Sequence, residues 1–194
     1  MAEIQSLCVF CGSSNSGPPA HRAAAARFGA LLAHSGIHLV FGGGRVGLMG
    51  VVADAALAAG GQVTGVIPKF LEDIEVGHPG VTRLLVVDSM HTRKRKMFDM
   101  SDAFVILPGG LGTLDEMFEV LTWKYLGLHA KPIVIADFDG YWRPLLSQVA
   151  SQIQNGYTAM EAQKMFSVVD RVEDILPAIE SARVPPAAPA SERL

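Results

Sequence analysis

Residues 108–116 read Pro-Gly-Gly-Leu-Gly-Thr-Leu-Asp-Glu, a glycine loop that opens a long helical pattern. Unpaired amides at a helix start, with the positive end of the helix dipole, form an anion site. Gly109, Gly110 and Gly112 let the backbone approach that anion, Leu111 sits inside the loop, and Thr113 adds a hydroxyl. The Gly-Lys-Ser/Thr ending of a triphosphate-binding loop is absent. A single phosphate, as on a mononucleotide or a sugar phosphate, suits the loop better than a triphosphate–magnesium group. Glu116 then stands beside the phosphate, where a carboxylate can act on the attached sugar. Residues 113–116 also read as a capping box, with Thr113 at the N-cap and Glu116 three residues on. That reading explains both side chains without chemistry.

Residues 90–97, Met-His-Thr-Arg-Lys-Arg-Lys-Met, carry four consecutive cations. On a helix they point about 100° apart, so they cannot all face one ligand, and at least two belong to solvent. Asp88 or Ser89 is placed to cap this helix. With Met90 and Met97 facing inward, Arg93 in the first turn is the cation that reaches the carboxyl edge of a sheet. Its guanidinium suits a phosphate or a carboxylate, and the sequence leaves open whether it holds the phosphate or orients Glu116.

A second glycine loop, 42–47, reads Gly-Gly-Gly-Arg-Val-Gly and fits the dinucleotide pattern G-x-G-x-x-G. A dinucleotide site expects an acid at the end of the next strand, and here that strand ends Ile67-Pro68-Lys69. Two other readings stand: a tight strand–helix turn that needs glycine for close packing, or one wall of another nucleotide's pocket, formed by Gly43 and Gly44 with Met90. Cys8-x-x-Cys11 lies on a strand, so its thiols point to opposite faces, unlike a redox pair at a helix start. The six histidines lack metal-ligand spacing, no metal site is expected, and no G-x-S-x-G elbow occurs.

The elements that must position these residues alternate along the chain. Continuously apolar runs at 7–10, 37–41, 63–67, 84–87, 103–107 and 133–136 read as strands covered on both faces. Residues 20–35, 48–59, 90–101, 114–126 and 141–154 read as helices between and after them. The alternation predicts an α/β fold: a single-domain, Rossmann-like open parallel sheet with helices on both faces and right-handed crossovers. Ligands of such sheets sit beyond the carboxyl ends of the strands, where both glycine loops fall. The stretch 72–80 reads as irregular and able to line a site. The domain is expected over 1–182, with the Pro/Ala-rich residues 183–194 as a disordered tail. Trp123 and Tyr125 lie on a helix apolar around most of its circumference, as expected of packing against another subunit as well as the sheet.

Composition narrows the function classes. The chain has 194 residues, a net charge of −3 and 18% charged residues, which argues against disorder over most of its length and against a basic nucleic-acid binder. No apolar run reaches the roughly 18 residues of a membrane helix, and no basic segment precedes an apolar one at the N-terminus. Two cysteines cannot build a disulfide framework, so a reduced, cytoplasmic chain is expected.

Taken together, Pro108-Gly109-Gly110-x-Gly112-Thr113-x-x-Glu116, preceded by Met90-His91-x-Arg93-Lys94, resembles the LONELY GUY family of cytokinin riboside 5′-monophosphate phosphoribohydrolases, long labelled possible lysine decarboxylases. The resemblance runs from Cys8-Val9-Phe10-Cys11-Gly12-Ser13-Ser14 through Tyr141, and includes Gly47-Leu48-Met49-Gly50, Val66-Ile67-Pro68 and Thr122-Trp123. It implies hydrolysis of the N-glycosidic bond of an N6-modified adenosine 5′-monophosphate, often also AMP, to free base and ribose 5-phosphate. It implies Arg93 and Glu116 as the essential pair. It implies Glu75, Lys94, the run 110–116 and Thr122 as substrate contacts, a homodimer or larger assembly, and no metal or organic cofactor. Leu111 stands where plant relatives carry an aromatic residue. The rival readings are a non-catalytic nucleotide or cofactor carrier on the same fold, an NAD(P) enzyme, and a pyridoxal-phosphate decarboxylase, which would need a Schiff-base lysine.

Overall fold

The apolar runs become the strands of one parallel sheet, the inner ones shielded on both faces, whereas the run at 84–87 forms an edge strand that is only partly covered, with Val86 exposed. The computed structural model describes residues 4–75 and 77–182, and their side chains except at 73–75. Strands β1 (Ser6–Phe10), β2 (His38–Phe41), β3 (Val63–Pro68), β4 (Arg83–Val87), β5 (Ala103–Ile106), β6 (Ile133–Ala136) and β7 (Ser167–Val169) pair in the order β4-β3-β2-β1-β5-β6-β7. Every pairing is parallel. Helices α1 (Pro19–His34), α2 (Gly47–Ala58) and α7 (Ile175–Ser181) cover one face, where Phe28, Val52 and Ile179 pack on Leu7, Val9 and Phe41. Helices α4 (Met90–Asp99), α5 (Leu111–Tyr125) and α6 (Arg143–Gln154) cover the other, where Met97, Met117 and Trp142 pack on Cys8, Phe10 and Phe104.

Cys8 and Cys11 fall into these two opposite clusters, both buried and free, as their strand spacing requires. The chain walks from β1 out to β4, then returns to place β5 on the other side of β1. The order reverses between β1 and β5, and that switch point is where a doubly wound sheet opens a crevice for a ligand.

The structure corrects the expected elements in several places. Residues 72–80 do not form one irregular stretch, because they begin inside a short helix, α3 (Lys69–Glu75). A seventh strand, β7, adds to the β6 edge, and α7 follows it. Helix α6 starts at Arg143, after a 3-10 turn at Phe138–Gly140. Helix α5 starts at Leu111 rather than 114, so the capping-box reading fails: the N-cap is Gly110, without a side-chain cap, and Thr113 already lies in the first turn. The expected tail at 183–194 and the side chain of Glu75 lie outside the described residues. No described helix is long and apolar enough to cross a membrane.

Candidate active site

Helix α5 opens at the glycine loop that begins at Pro108. An α-helix leaves its first amides without partners inside the helix, and here no side chain caps them. Gly110, Leu111 and Gly112 are exposed around this start, while Thr113 is buried. A Cβ at Gly109 would lie 2.1 Å from the Thr113 hydroxyl oxygen and 2.8 Å from the Gly12 nitrogen, so only glycine lets the turn close. The loop is tied to the end of β1 by the Gly12 amide, which donates to the Pro108 carbonyl at 3.0 Å. Leu48 donates to the Gly12 carbonyl at 2.9 Å, and the Gly47 amide to Oδ1 of Asn15 at 3.1 Å. The residues following β1 therefore join the two glycine loops into one floor.

Glu116 and Arg93 meet above that floor. Glu116 lies on α5 about 7 Å along the axis from Leu111, and helical side chains tilt back toward the N-terminus. Its carboxylate is buried, with Oε1 3.7 Å from Nη2 of Arg93. Arg93 is buried as well. Its Nε donates to the Val66 carbonyl at 3.1 Å and its Nη2 to the Gly42 carbonyl at 3.0 Å, while Nη1 lies 3.8 Å from the Met90 sulfur. The guanidinium thus clamps the carboxyl ends of β2 and β3, and the same Nη2 that bonds Gly42 approaches Glu116. Ser89, rather than Asp88, caps α4, accepting from the Thr92 amide at 3.1 Å. Arg95 and Lys96 are exposed, as expected for at least two cations of that run.

The first glycine loop serves this clamp. A Cβ at Gly42 would fall 2.0 Å from Nη2 of Arg93. Gly43 has φ +79°, and its carbonyl accepts from the His78 amide at 2.9 Å, while Gly44 bridges to Gly77. His78 is buried, and its Nε2 lies 3.0 Å from Oδ1 of Asp54. These contacts account for the glycines by packing. Gly43 directly follows the Gly42 carbonyl that Arg93 holds, and Met90 lies against Nη1 of Arg93.

Two further implied contacts lie on or against α5. Lys94 is half-buried, with Nζ 3.1 Å from Asp115 and 3.2 Å from Glu119. Burial opposes its charge, but hydrogen bonds to those two carboxylates outweigh it and raise its pKa. Thr122 is exposed about three turns beyond the start of α5, in a groove with Phe118, Leu121 and Tyr125. Within one chain it does not join the anion loop. Sequence reasoning passed over Asn15 and His78, which long-range hydrogen bonds define, and it read the loop that begins at Gly42 without its contact to Arg93. Among the described residues no group of three His, Cys, Asp or Glu side chains is placed to hold a metal ion.

Fold and site define a class: a Rossmann-like α/β protein whose switch point pairs an open helix start with a buried arginine and glutamate. A family model described as "Possible lysine decarboxylase" matches residues 49–179. Over 178 residues the chain is 44% identical to a cytokinin riboside 5′-monophosphate phosphoribohydrolase of Rhodococcoides fascians, covering 91% of this chain and 90% of the relative. Over 179 residues it is 38% identical to one of Arabidopsis thaliana, covering 92% and 82%. The chain therefore belongs to this family, the LONELY GUY family. Its fold is also that of a molybdenum cofactor binding protein from Rippkaea orientalis, with a TM-score of 0.70, 22% identity, and 93% and 98% of the two chains covered. The molybdenum cofactor carrier protein of Chlamydomonas reinhardtii is similar, with a TM-score of 0.68, 20% identity and the same coverage.

Proposed function

We propose that this chain hydrolyses the N-glycosidic bond of adenosine 5′-monophosphate, N6-modified forms included, to free base and ribose 5-phosphate. The observation that carries the reading is the buried Glu116 carboxylate, held against Arg93 just beyond an uncapped helix start. The helix-start amides take the phosphate. The distance along α5 from there to Glu116 is comparable to the span from a phosphate to the anomeric carbon of its ribose. Cleavage builds positive charge on that carbon as the bond to the base breaks. Glu116 stabilises this charge or takes a proton from the attacking water, and the base leaves with a proton. Arg93, with Nε and Nη2 bonded to the Val66 and Gly42 carbonyls and Nη2 facing Glu116, orients Glu116 rather than holding the phosphate.

The assembly we propose is a homodimer or larger. The groove on α5 sets Phe118 and Leu121 beside Thr122, so a second copy packed there would bring Thr122 toward a substrate it cannot reach in its own chain. Two free buried thiols fit a reducing compartment, the cytoplasm.

The residues do not fit pyridoxal phosphate. Lys94 is taken up by two carboxylates, and the buried Lys124 donates to the Lys131 carbonyl before β6, at the amino edge of the sheet. The test is base release, followed by chromatography, from AMP and from its N6-isopentenyl derivative. Wild type is expected to release base. Glu116→Gln is expected to stay folded, bind AMP and lose activity by about a hundredfold or more. Wild type that binds AMP and leaves it intact would make the chain a nucleotide carrier.

A further inference from the structure

Tyr141 lies outside the machinery described so far, yet its hydroxyl donates to the Gly109 carbonyl at 2.7 Å. That carbonyl shares a trans peptide with the amide of Gly110, the N-cap of α5, so the two groups point in opposite directions. Holding the carbonyl outward holds the amide in its direction at the helix start. A hydrogen bond accepted by the carbonyl also polarises the amide on the other side of the plane.

The ring that carries this hydroxyl is braced although Tyr141 is partly exposed. His21, buried in the first turn of α1, meets it edge-on with centroids 5.5 Å apart, and Trp142 meets it at 4.8 Å. Nε2 of His21 lies 3.8 Å from Oδ2 of Asp139. Asp139 has φ 54°, the one non-glycine residue with positive φ among the described residues. Such a backbone is uncommon for a residue other than glycine and persists only where its surroundings hold it. Just beyond it, Oδ1 of the buried Asp137 accepts from the Trp142 amide at 2.6 Å, which fixes the turn that delivers Tyr141 to the loop.

We infer that Tyr141 is a positioning residue for the phosphate-binding loop, acting through the Gly109–Gly110 peptide and braced by His21. The inference rests on the proposed function in taking the ligand of that loop to be the 5′-phosphate of a nucleotide. Tyr141→Phe keeps the ring and its packing and removes only the hydroxyl, so the chain is expected to melt as wild type does. The KM for AMP should rise about fivefold, and the affinity for ribose 5-phosphate, read by calorimetry, should fall by the same factor, with kcat little changed. An unchanged KM and an unchanged ribose 5-phosphate affinity would overturn the inference, as would a loss confined to kcat. If wild type releases no base from AMP, the hydrolase reading fails on its own. The ribose 5-phosphate affinities of the two proteins then still decide the role of Tyr141.

Discussion

Gly42→Ala tests the claim that the first glycine loop exists to seat Arg93. The added Cβ would lie 2.0 Å from Nη2 of Arg93 and 3.1 Å from the Met49 sulfur. The guanidinium must withdraw by about 1.5 Å to reach ordinary contact. That movement breaks the 3.0 Å bond to the Gly42 carbonyl and opens the 3.7 Å approach to Glu116. A hydrogen bond from a charged donor contributes about 2 kcal/mol. In a chain of this size its loss lowers Tm by about 5 °C. The effect on turnover is larger than the effect on stability, because a misplacement of about 1 Å in a catalytic group costs on the order of a hundredfold. Base release from AMP and thermal melting by circular dichroism measure the two effects. Gly17→Ala, where a Cβ meets nothing within 4 Å, serves as the control and should match wild type. A Gly42→Ala variant that keeps wild-type turnover and Tm would refute the reasoning, since Arg93 would then tolerate displacement.

Arg93→Lys keeps the charge, but an ammonium cannot span the Val66 and Gly42 carbonyls and still face Glu116. Turnover should fall by about tenfold or more, and a variant as active as wild type counts against the clamp. Phe118→Asp places a charge on the exposed face of α5 and should yield a smaller species by light scattering, whereas an unchanged mass would dismiss that face as the contact. Burial lowers Lys124 to about 8 from the ordinary 10.5. The unfolded chain therefore binds more protons between those values, and the contribution of this group to stability rises as pH climbs through them. Lys124→Met removes that rise, so the Tm of the variant relative to wild type should fall from pH 7 to pH 10, and a constant difference would be the contrary result. Burial first, and the nearby charge of Glu116 second, raise the thiol pKa of Cys8 and Cys11. Both should resist a thiol reagent at neutral pH until the chain unfolds, and fast labelling of the native protein would contradict their placement.

What was legible in the sequence was whatever leaves a local trace. Six strands were readable from unbroken apolar runs, which burial on both faces demands of the five inner ones and which β4 keeps although its edge position leaves Val86 exposed. Arg93 was singled out because the inward methionines fix which side of α4 faces the sheet. β7 escaped notice because a three-residue edge strand needs no such run. α3 was hidden by the acids, glycines and proline around it, which read as loop. Thr113 shows how a local rule is overridden: a threonine three residues before a glutamate resembles a cap, yet Gly109 and Gly110 let the helix begin a turn earlier and draw the hydroxyl inward. The contact between Arg93 and Gly42, and that between Tyr141 and Gly109, span long stretches of chain and have no signature in either segment alone.

The sheet order also governs how the protein is made. Translation delivers β1 first and then β2, β3 and β4, each able to dock outward on its predecessor. Until β5 emerges, the opposite edge of β1 stays unpaired, a strand buried from Leu7 to Phe10 in the finished fold and a sticky template in the nascent one. The same event that seals that edge brings in the glycine loop and Glu116, which follow β5 directly. Docking of β5 therefore seals the edge of β1 and delivers the glycine loop together, while β5 in turn waits for β6, and the loop waits for Tyr141. A chain stalled before residue 103 should be a client for chaperones and should possess no residual activity.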